Sequence, residues 1–335
     1  MNRRRDVATP AALMSSSPGR NVIATIGVDR YASWPQLSLA VSDAKAARER
    51  FHQLGFEDAA PPLYDEAATG DALLALVTDD LKALSQHDRL VVFYAGHGGT
   101  QAHSTAGQCV KTGYLIPADA ASESSKLVSW IDLDDWLRKI SLLPPRHILV
   151  ILDSCHSGIA LNPVFKWRGD GSLHGMSLAS LQARRSRRII TSALDDQLAL
   201  DSGPIEGHSL FTGCLLEALG GAMGRRVRDI TGSALGLWVQ QRVGSFPGSQ
   251  QTPDVGAFGL DERGELVIAL ATDADALPDR EPAAVPTSEP RSVPAVSPRE
   301  LTALPGPRLV GRQRSLVLIT TVLAAVFWIV FAMMR

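Results

Sequence analysis

The chain of 335 residues is 45% hydrophobic, which is enough for one large globular domain or two ordinary ones. Its 33 basic and 35 acidic residues give a formal net charge of -2, so the excess of positive charge typical of a nucleic-acid-binding protein is missing. Cys109, Cys155 and Cys214 are the three cysteines, an odd number without CxxC spacing, which argues against a disulfide framework and against a thiolate zinc site.

A central globular segment lies between a basic N-terminus and a proline-rich stretch. Residues 1–20 lack the apolar region of an export signal, and we expect them to be disordered. Prolines recur between residues 278 and 307 among Ala, Val, Ser and Glu, a composition that forms no core and stays extended. We therefore predict a domain over residues 21–271 and a linker over residues 272–314.

The end of the sequence has the pattern of a membrane span. Residues 315–334 carry no charge over 20 positions, and a helix of that length matches a bilayer core of about 30 Å. We predict a single-pass anchor over residues 315–335, with the lipid bilayer as its partner. Arg308, Arg312 and Arg314 precede the span and only Arg335 follows it, so the positive-inside rule places the domain in the cytoplasm.

Strand and helix patterns alternate through the domain. A β-rich run at residues 21–29 precedes apolar residues at helical spacing from Leu37 to Leu54 and again over residues 71–86. Further predicted strands lie at 88–94, 114–117, 147–153, 187–193 and 264–270, and further helices at about 132–141, 208–219 and 233–244. This alternation predicts an α/β fold, a mostly parallel sheet of about six strands with helices on both faces.

Two of the predicted strands end in a reactive side chain beside glycine. The segments read FYAGHGG at residues 93–99 and ILDSCHSG at residues 151–158, so His97 and Cys155 each follow a buried strand. Parallel sheets bind ligands at the carboxyl ends of their strands. A thiol with a pKa of about 8.5 needs a base to become a nucleophile, and histidine is suited to that task. We predict a catalytic Cys155–His97 dyad.

The glycines after the first of these strands predict a second feature. Gly96, Gly98 and Gly99 allow a sharp turn, and the N–H groups of Gly98 and Cys155 are candidates for an oxyanion hole.

Both segments resemble the histidine and cysteine motifs of caspase-like peptidases, and DSCHSG is similar to the metacaspases and their bacterial relatives. The resemblance extends over residues 21–270 and includes IGVDRYASWPQLSLAVSDA at 26–44, YLIPAD at 114–119 and GHSLFTGCLLEAL at 207–219. It implies a three-layer caspase-like fold and a cysteine-type endopeptidase that works with a Cys–His dyad. No metal or other cofactor is expected for this chemistry.

Acidic residues near the dyad bear on specificity. Asp153 is two residues before Cys155, so the period of an extended strand turns both to the same side. The resemblance implies that Asp153 and Asp43 form an acidic pocket and that the substrates are proteins or peptides cleaved after Arg or Lys. Ala95 departs from the family pattern, which often has Ser there.

Several alternative interpretations stay open. The chain is either an active peptidase, a catalytically idle caspase-fold adaptor recruited to the membrane, or a thiol hydrolase for a small amide. Asp132, Asp134 and Asp135 either bind calcium or cap a helix. The RRSRR run at residues 184–188 is either a solvated basic loop or a site of self-cleavage. Cys214, in an apolar helix pattern, is expected to pack in the core.

Overall fold

The structure is a computed structural model, and it describes residues 19–105, 108–154, 177–193, 200–224 and 227–270. Cys155, most of the basic N-terminus, the proline-rich linker and the predicted anchor at residues 315–335 lie outside these ranges. Within them, no helix has both the length and the apolar character needed to cross a membrane.

Strands and helices alternate along the described chain much as predicted. The strands are β1 (Asn21–Gly27), β2 (Glu57–Asp58), β3 (Leu63–Tyr64), β4 (Arg89–Ala95), β5 (Gly98–Thr105), β6 (Gln108–Leu115), β7 (Ile131–Asp132), β8 (His147–Asp153), β9 (Ser186–Thr191), β10 (Asp229–Thr231), β11 (Asp254–Ala257) and β12 (Val267–Ala269). The helices are α1 (Ala40–Gln53), α2 (Gly70–Thr78), α3 (Leu133–Ser141), α4 (Leu178–Gln182), α5 (Leu210–Glu217) and α6 (Gly232–Gly244).

The main sheet of the described residues has seven strands. Its order is β11, β9, β8, β4, β1, and both β2 and β3 pair with the far side of β1. All neighbours are parallel except β11, which runs antiparallel to β9. The predicted mostly parallel α/β sheet is confirmed.

Two predicted strands belong to other sheets. The run at residues 264–270 forms β12, which pairs with β10 in a separate antiparallel sheet of two strands. The run at residues 114–117 begins within β6, the middle strand of an antiparallel sheet with β5 and β7. An apolar run predicts a strand, but its partner depends on distant residues, which explains both differences.

Helices cover both faces of the main sheet. Val22, Ala24 and Ile26 of β1 pack in a core with α2 and α3, whereas Ile23 between them packs in a second core with α1, α5 and α6. This alternation follows from the two-residue period of a strand. The described domain is therefore built in three layers, helix on sheet on helix.

The end of the RRSRR run is buried in a strand, whereas Arg184 at its start is exposed. Arg187 and Arg188 lie in β9 with relative exposures of 1% and 4%. The Arg187 guanidinium donates to the carbonyl oxygens of Ser141, Leu143, Arg146 and Ser186 at 2.9–3.1 Å. Burial lowers the pKa of Arg187 to about 10. In the folded domain, the end of this run is thus a structural link between β9 and the end of α3, closed to a protease.

Arg187→Ala should lower the free energy of unfolding by about 3 kcal/mol, because the four carbonyl oxygens would lose their buried donor. Chemical denaturation of the full chain measures this. Arg184→Ala is the matched control, since Arg184 belongs to the same run and is exposed. Equal stability of the two variants would contradict the structural role of Arg187.

Candidate active site

Three parallel strands of the main sheet end at one level. Gly27 of β1 is opposite Ala95 of β4, and Ala95 is opposite Asp153 of β8. Backbone hydrogen bonds continue the pairing just past these ends, from Val28 N–H to the Ala95 oxygen at 3.0 Å and from Gly96 N–H to the Asp153 oxygen at 3.2 Å. His97 is two residues beyond Ala95, and Cys155 is two residues beyond Asp153 in the sequence.

A pocket of about 220 Å³ opens at these strand ends. Its lining includes His97, Asp43 and Asp153, and also Ser154, the last described residue before Cys155. The structure thus brings three of the predicted site residues together. Gly98, the predicted oxyanion donor, begins β5 directly after His97 and is opposite Leu115 of β6.

A backbone carbonyl orients the His97 ring. His97 Nε2 is 2.8 Å from the oxygen of Pro35, in the loop between β1 and α1. Because a carbonyl oxygen only accepts hydrogen bonds, the proton of the neutral ring lies on Nε2 and Nδ1 is left with a lone pair. This is the arrangement that a general base requires, since the second nitrogen fixes the tautomer.

Two aromatic side chains of the same loop hold His97. The Tyr31 hydroxyl accepts a hydrogen bond from the His97 backbone N–H at 2.7 Å. The rings of Tyr31 and Trp34 lie 4.8 and 5.6 Å from the imidazole, centre to centre. A side chain at Gly96 would collide with this arrangement, because its Cβ would lie 2.7 Å from the Tyr31 hydroxyl.

Carboxylates shape the loop that carries these groups. Asp29 accepts hydrogen bonds from the N–H groups of Ala40 and Val41 at 2.8 and 3.2 Å, so it caps α1 from outside the helix. Asp65, after β3, accepts from the N–H groups of Asp29 and Arg30. The position of Pro35 and Tyr31 therefore depends on contacts that tie the loop to α1 and to the strand beside β1.

Burial keeps His97 in its neutral form. Desolvation lowers the pKa of His97 below its usual 6.5, and the hydrogen bond to Pro35 opposes this only in part. At neutral pH the imidazole is therefore ready to accept a proton at Nδ1.

Two buried carboxylates form the acidic side of the pocket. Asp153 Oδ2 accepts hydrogen bonds from the Ser209 and Thr212 hydroxyls at 2.6 and 2.7 Å. Asp43 accepts from the Ser209 N–H at 3.3 Å and lies 2.7 Å from His208 Nδ1. The pKa of Asp43 is raised to about 8, mainly by burial and secondly by the negative charge of Asp153. Burial also raises the pKa of Asp153. Ionisation of either carboxyl group is therefore unfavourable inside the pocket.

One polar group in the pocket has no partner. Ser154 is 3% exposed, and among the residues that the structure describes its hydroxyl oxygen has no hydrogen-bond partner. A buried hydroxyl without a partner is unfavourable, and this one lies in the lining of the pocket.

Other predicted positions have structural roles. The Asp132 carboxylate accepts from the Asp135 N–H at 3.0 Å and begins α3, so the capping interpretation is confirmed. Cys214 is fully buried in α5, as expected, and burial raises the pKa of its thiol to about 12. No group of three potential metal ligands occurs in the described parts of the chain.

Sequence reasoning missed several residues of this site. Pro35 acts through its backbone oxygen, which no residue pattern reveals. Tyr31, Trp34 and Ser209 lie in segments that matched the family pattern, but only the fold shows what they contact. The one signal for His208 is its place in the segment GHSLFTGCLLEAL, which resembles the family, just before the apolar helix that begins at Leu210.

Comparison with known proteins adds a family match. The sequence model of the caspase domain, peptidase C14, matches residues 20–255. The comparison with curated proteins finds no match. A crystal structure of a protein from Geobacter sulfurreducens is 19% identical, with a TM-score of 0.49, over 74% of this chain and 99% of that one.

Tyr31→Phe should speed amide hydrogen exchange at His97 about tenfold, because the backbone N–H loses its hydroxyl acceptor. Exchange followed by NMR measures this at the single residue. Tyr64→Phe removes a hydroxyl that pairs with Thr25 instead, and it should leave exchange at His97 unchanged. Unaltered exchange in Tyr31→Phe would contradict the assigned contact.

Proposed function

This chain belongs to the caspase domain family of cysteine peptidases, and on that basis we propose that it is an endopeptidase with Cys155 as nucleophile and His97 as general base. One observation supports this most strongly. His97, held in the tautomer of a base, shares a pocket with Ser154, the residue to which Cys155 is joined.

The proposed reaction uses the free nitrogen of the imidazole. His97 Nδ1 takes the thiol proton as the Cys155 sulfur bonds to the peptide carbonyl carbon. The N–H groups of Gly98 and Cys155 donate to the resulting oxyanion. The carbon–nitrogen bond then breaks, and His97 returns the proton to the leaving amine. Water hydrolyses the thioester and regenerates the thiol.

The proposed substrates carry Arg or Lys before the scissile bond. Asp43 and Asp153 are 2% and 7% exposed, and Asp201 lies at the same pocket. A cationic side chain would relieve the repulsion between the buried carboxylates, whereas an aspartate would increase it. The unpartnered hydroxyl of Ser154 is a further acceptor for a guanidinium or ammonium group.

Peptidase activity should depend on Cys155 and on the charge of the substrate. We expect the full chain to cleave fluorogenic peptides with Arg or Lys about 100-fold faster, in kcat/KM, than peptides with Asp or with citrulline, the neutral isostere of Arg. Cys155→Ala should abolish cleavage. Asp43→Asn and Asp153→Asn should each reduce the preference for Arg, whereas Asp119→Asn, outside this pocket, should not.

Each part of this proposal has its own contrary result. Cleavage that survives in Cys155→Ala would exclude the thiol mechanism. A preference for Asp would exclude the acidic pocket as the specificity site. Absence of all cleavage, together with absence of labelling by a thiol-reactive peptide, would instead support the idle adaptor.

We further propose that residues 315–335 anchor the protein in a membrane, with residues 21–271 on the cytoplasmic side. The support is the uncharged run of 20 residues and the arginines that precede it.

We expect the expressed full chain to stay in the membrane fraction after alkaline carbonate washing and to be released by detergent. A chain truncated after residue 314 is the matched control and should be released by carbonate. Release of the full chain by carbonate would contradict the anchor.

A further inference from the structure

His208 contacts Asp43, one of the two buried carboxylates of the pocket. Its Nδ1 lies 2.7 Å from Asp43 Oδ1, and the two side chains are 18% and 2% exposed. The turn that carries His208 is fastened to α1, because the Ser42 hydroxyl donates to the Gly207 oxygen at 3.1 Å. His208 is thus held against Asp43 without lining the pocket itself.

The hydrogen bond between the two side chains has a defined direction when Asp43 is ionised. Burial lowers the pKa of His208 below its usual 6.5, so the ring is neutral at neutral pH. A neutral imidazole carries one N–H, and an ionised carboxylate only accepts. His208 Nδ1–H therefore donates to Asp43, and this hydrogen bond favours the charged form of the carboxylate.

Asp43 needs such donors in order to attract a cation. Burial and the neighbouring Asp153 favour its neutral form, and the Ser209 N–H works against them from 3.3 Å. A protonated Asp43 would offer no charge to an Arg or Lys side chain. The donor with the shorter contact is His208, at 2.7 Å.

Several charged groups lie near Asp43 and affect whether its carboxyl group is ionised. The described charged or titratable groups around this contact are Asp29 in the loop before α1, Asp153 at the end of β8, His97 after β4 and Asp201 in the segment before His208. Asp153 and Asp29 oppose ionisation of Asp43, and Asp201 opposes ionisation of Asp153. The His208 imidazole, in contrast, is in hydrogen-bond contact with the Asp43 carboxylate, at 2.7 Å.

We propose that His208 is a specificity-determining positioning residue: it donates to Asp43, stabilises the ionised form of that carboxylate relative to the protonated form, and so sets the pH range in which basic substrates are recognised. The inference rests on the proposed peptidase function and extends it to a residue outside the pocket lining. We therefore expect basic side chains to be recognised more strongly as pH rises, because Asp43 then loses its proton.

The test compares two substrates in one enzyme. The ratio of kcat/KM for an Arg peptide to that for the matched citrulline peptide is measured with the full chain from pH 6 to pH 9. Titration of His97 and Cys155 affects both substrates, so the ratio reports the pocket. In the wild type, the ratio should rise with a midpoint near the Asp43 pKa of about 8.

Three variants at two positions separate charge tuning from a merely structural effect. His208→Ala removes the donor, so the midpoint should rise by about one pH unit and the ratio at pH 7 should fall about tenfold. His208→Asn retains a side-chain N–H near the same place, and its midpoint should stay within about 0.3 units of the wild type. His52→Ala removes another imidazole that pairs with an aspartate, Asp58, on the far end of α1, and it should change nothing.

The outcomes distinguish the inference from the proposed function. A wild-type enzyme without activity, or without preference for Arg over citrulline, overturns the proposed function and the inference with it. A wild type that prefers Arg, combined with an unmoved midpoint in His208→Ala, overturns the inference alone. A midpoint in His208→Asn that rises as far as in the Ala variant does the same, because the donor would then not be the cause.

Discussion

The pocket depends on one constraint, which is that three parallel strands end at the same level of the sheet. Gly27, Ala95 and Asp153 face one another across the sheet, so the segments that follow them start from one edge. A shift of the register by one residue would turn every side chain of a strand to the other face. Asp153 would then point toward the layer of α2 and α3, away from Asp43 and from its donors Ser209 and Thr212.

Holding Asp43 and Asp153 in that pocket is costly for the fold. Both carboxylates are almost fully buried, and their own repulsion adds to the loss of hydration. Ser209 reduces the cost to both, since its N–H donates to Asp43 and its hydroxyl to Asp153, while Thr212 adds a second donor to Asp153. Under the proposed function, the basic side chain of a substrate would offset the rest of this cost.

The sequence allowed the layers of the fold and the chemistry-bearing turns to be predicted, because strand and helix periods and the motif around His97 are local signals. The pairing of β12 with β10 was beyond its reach, since a strand pattern does not contain its partner. The same limit applied to Pro35, whose contribution is a carbonyl oxygen common to all residues, and to His208, whose contact with Asp43 joins residues far apart in the chain. Non-local contacts, rather than residue types, account for what was missed.

The carbonyl of Pro35 also has an evolutionary consequence. A side-chain orienter can be deleted by one codon change, but a backbone acceptor survives any substitution that preserves the path of the chain. Substitutions that inactivate a relative would therefore occur at residues that shape this loop, such as Asp29 and Asp65, while the imidazole and the thiol are retained. A relative with both reactive residues and a reshaped loop would look active from its motifs and yet lack an oriented base.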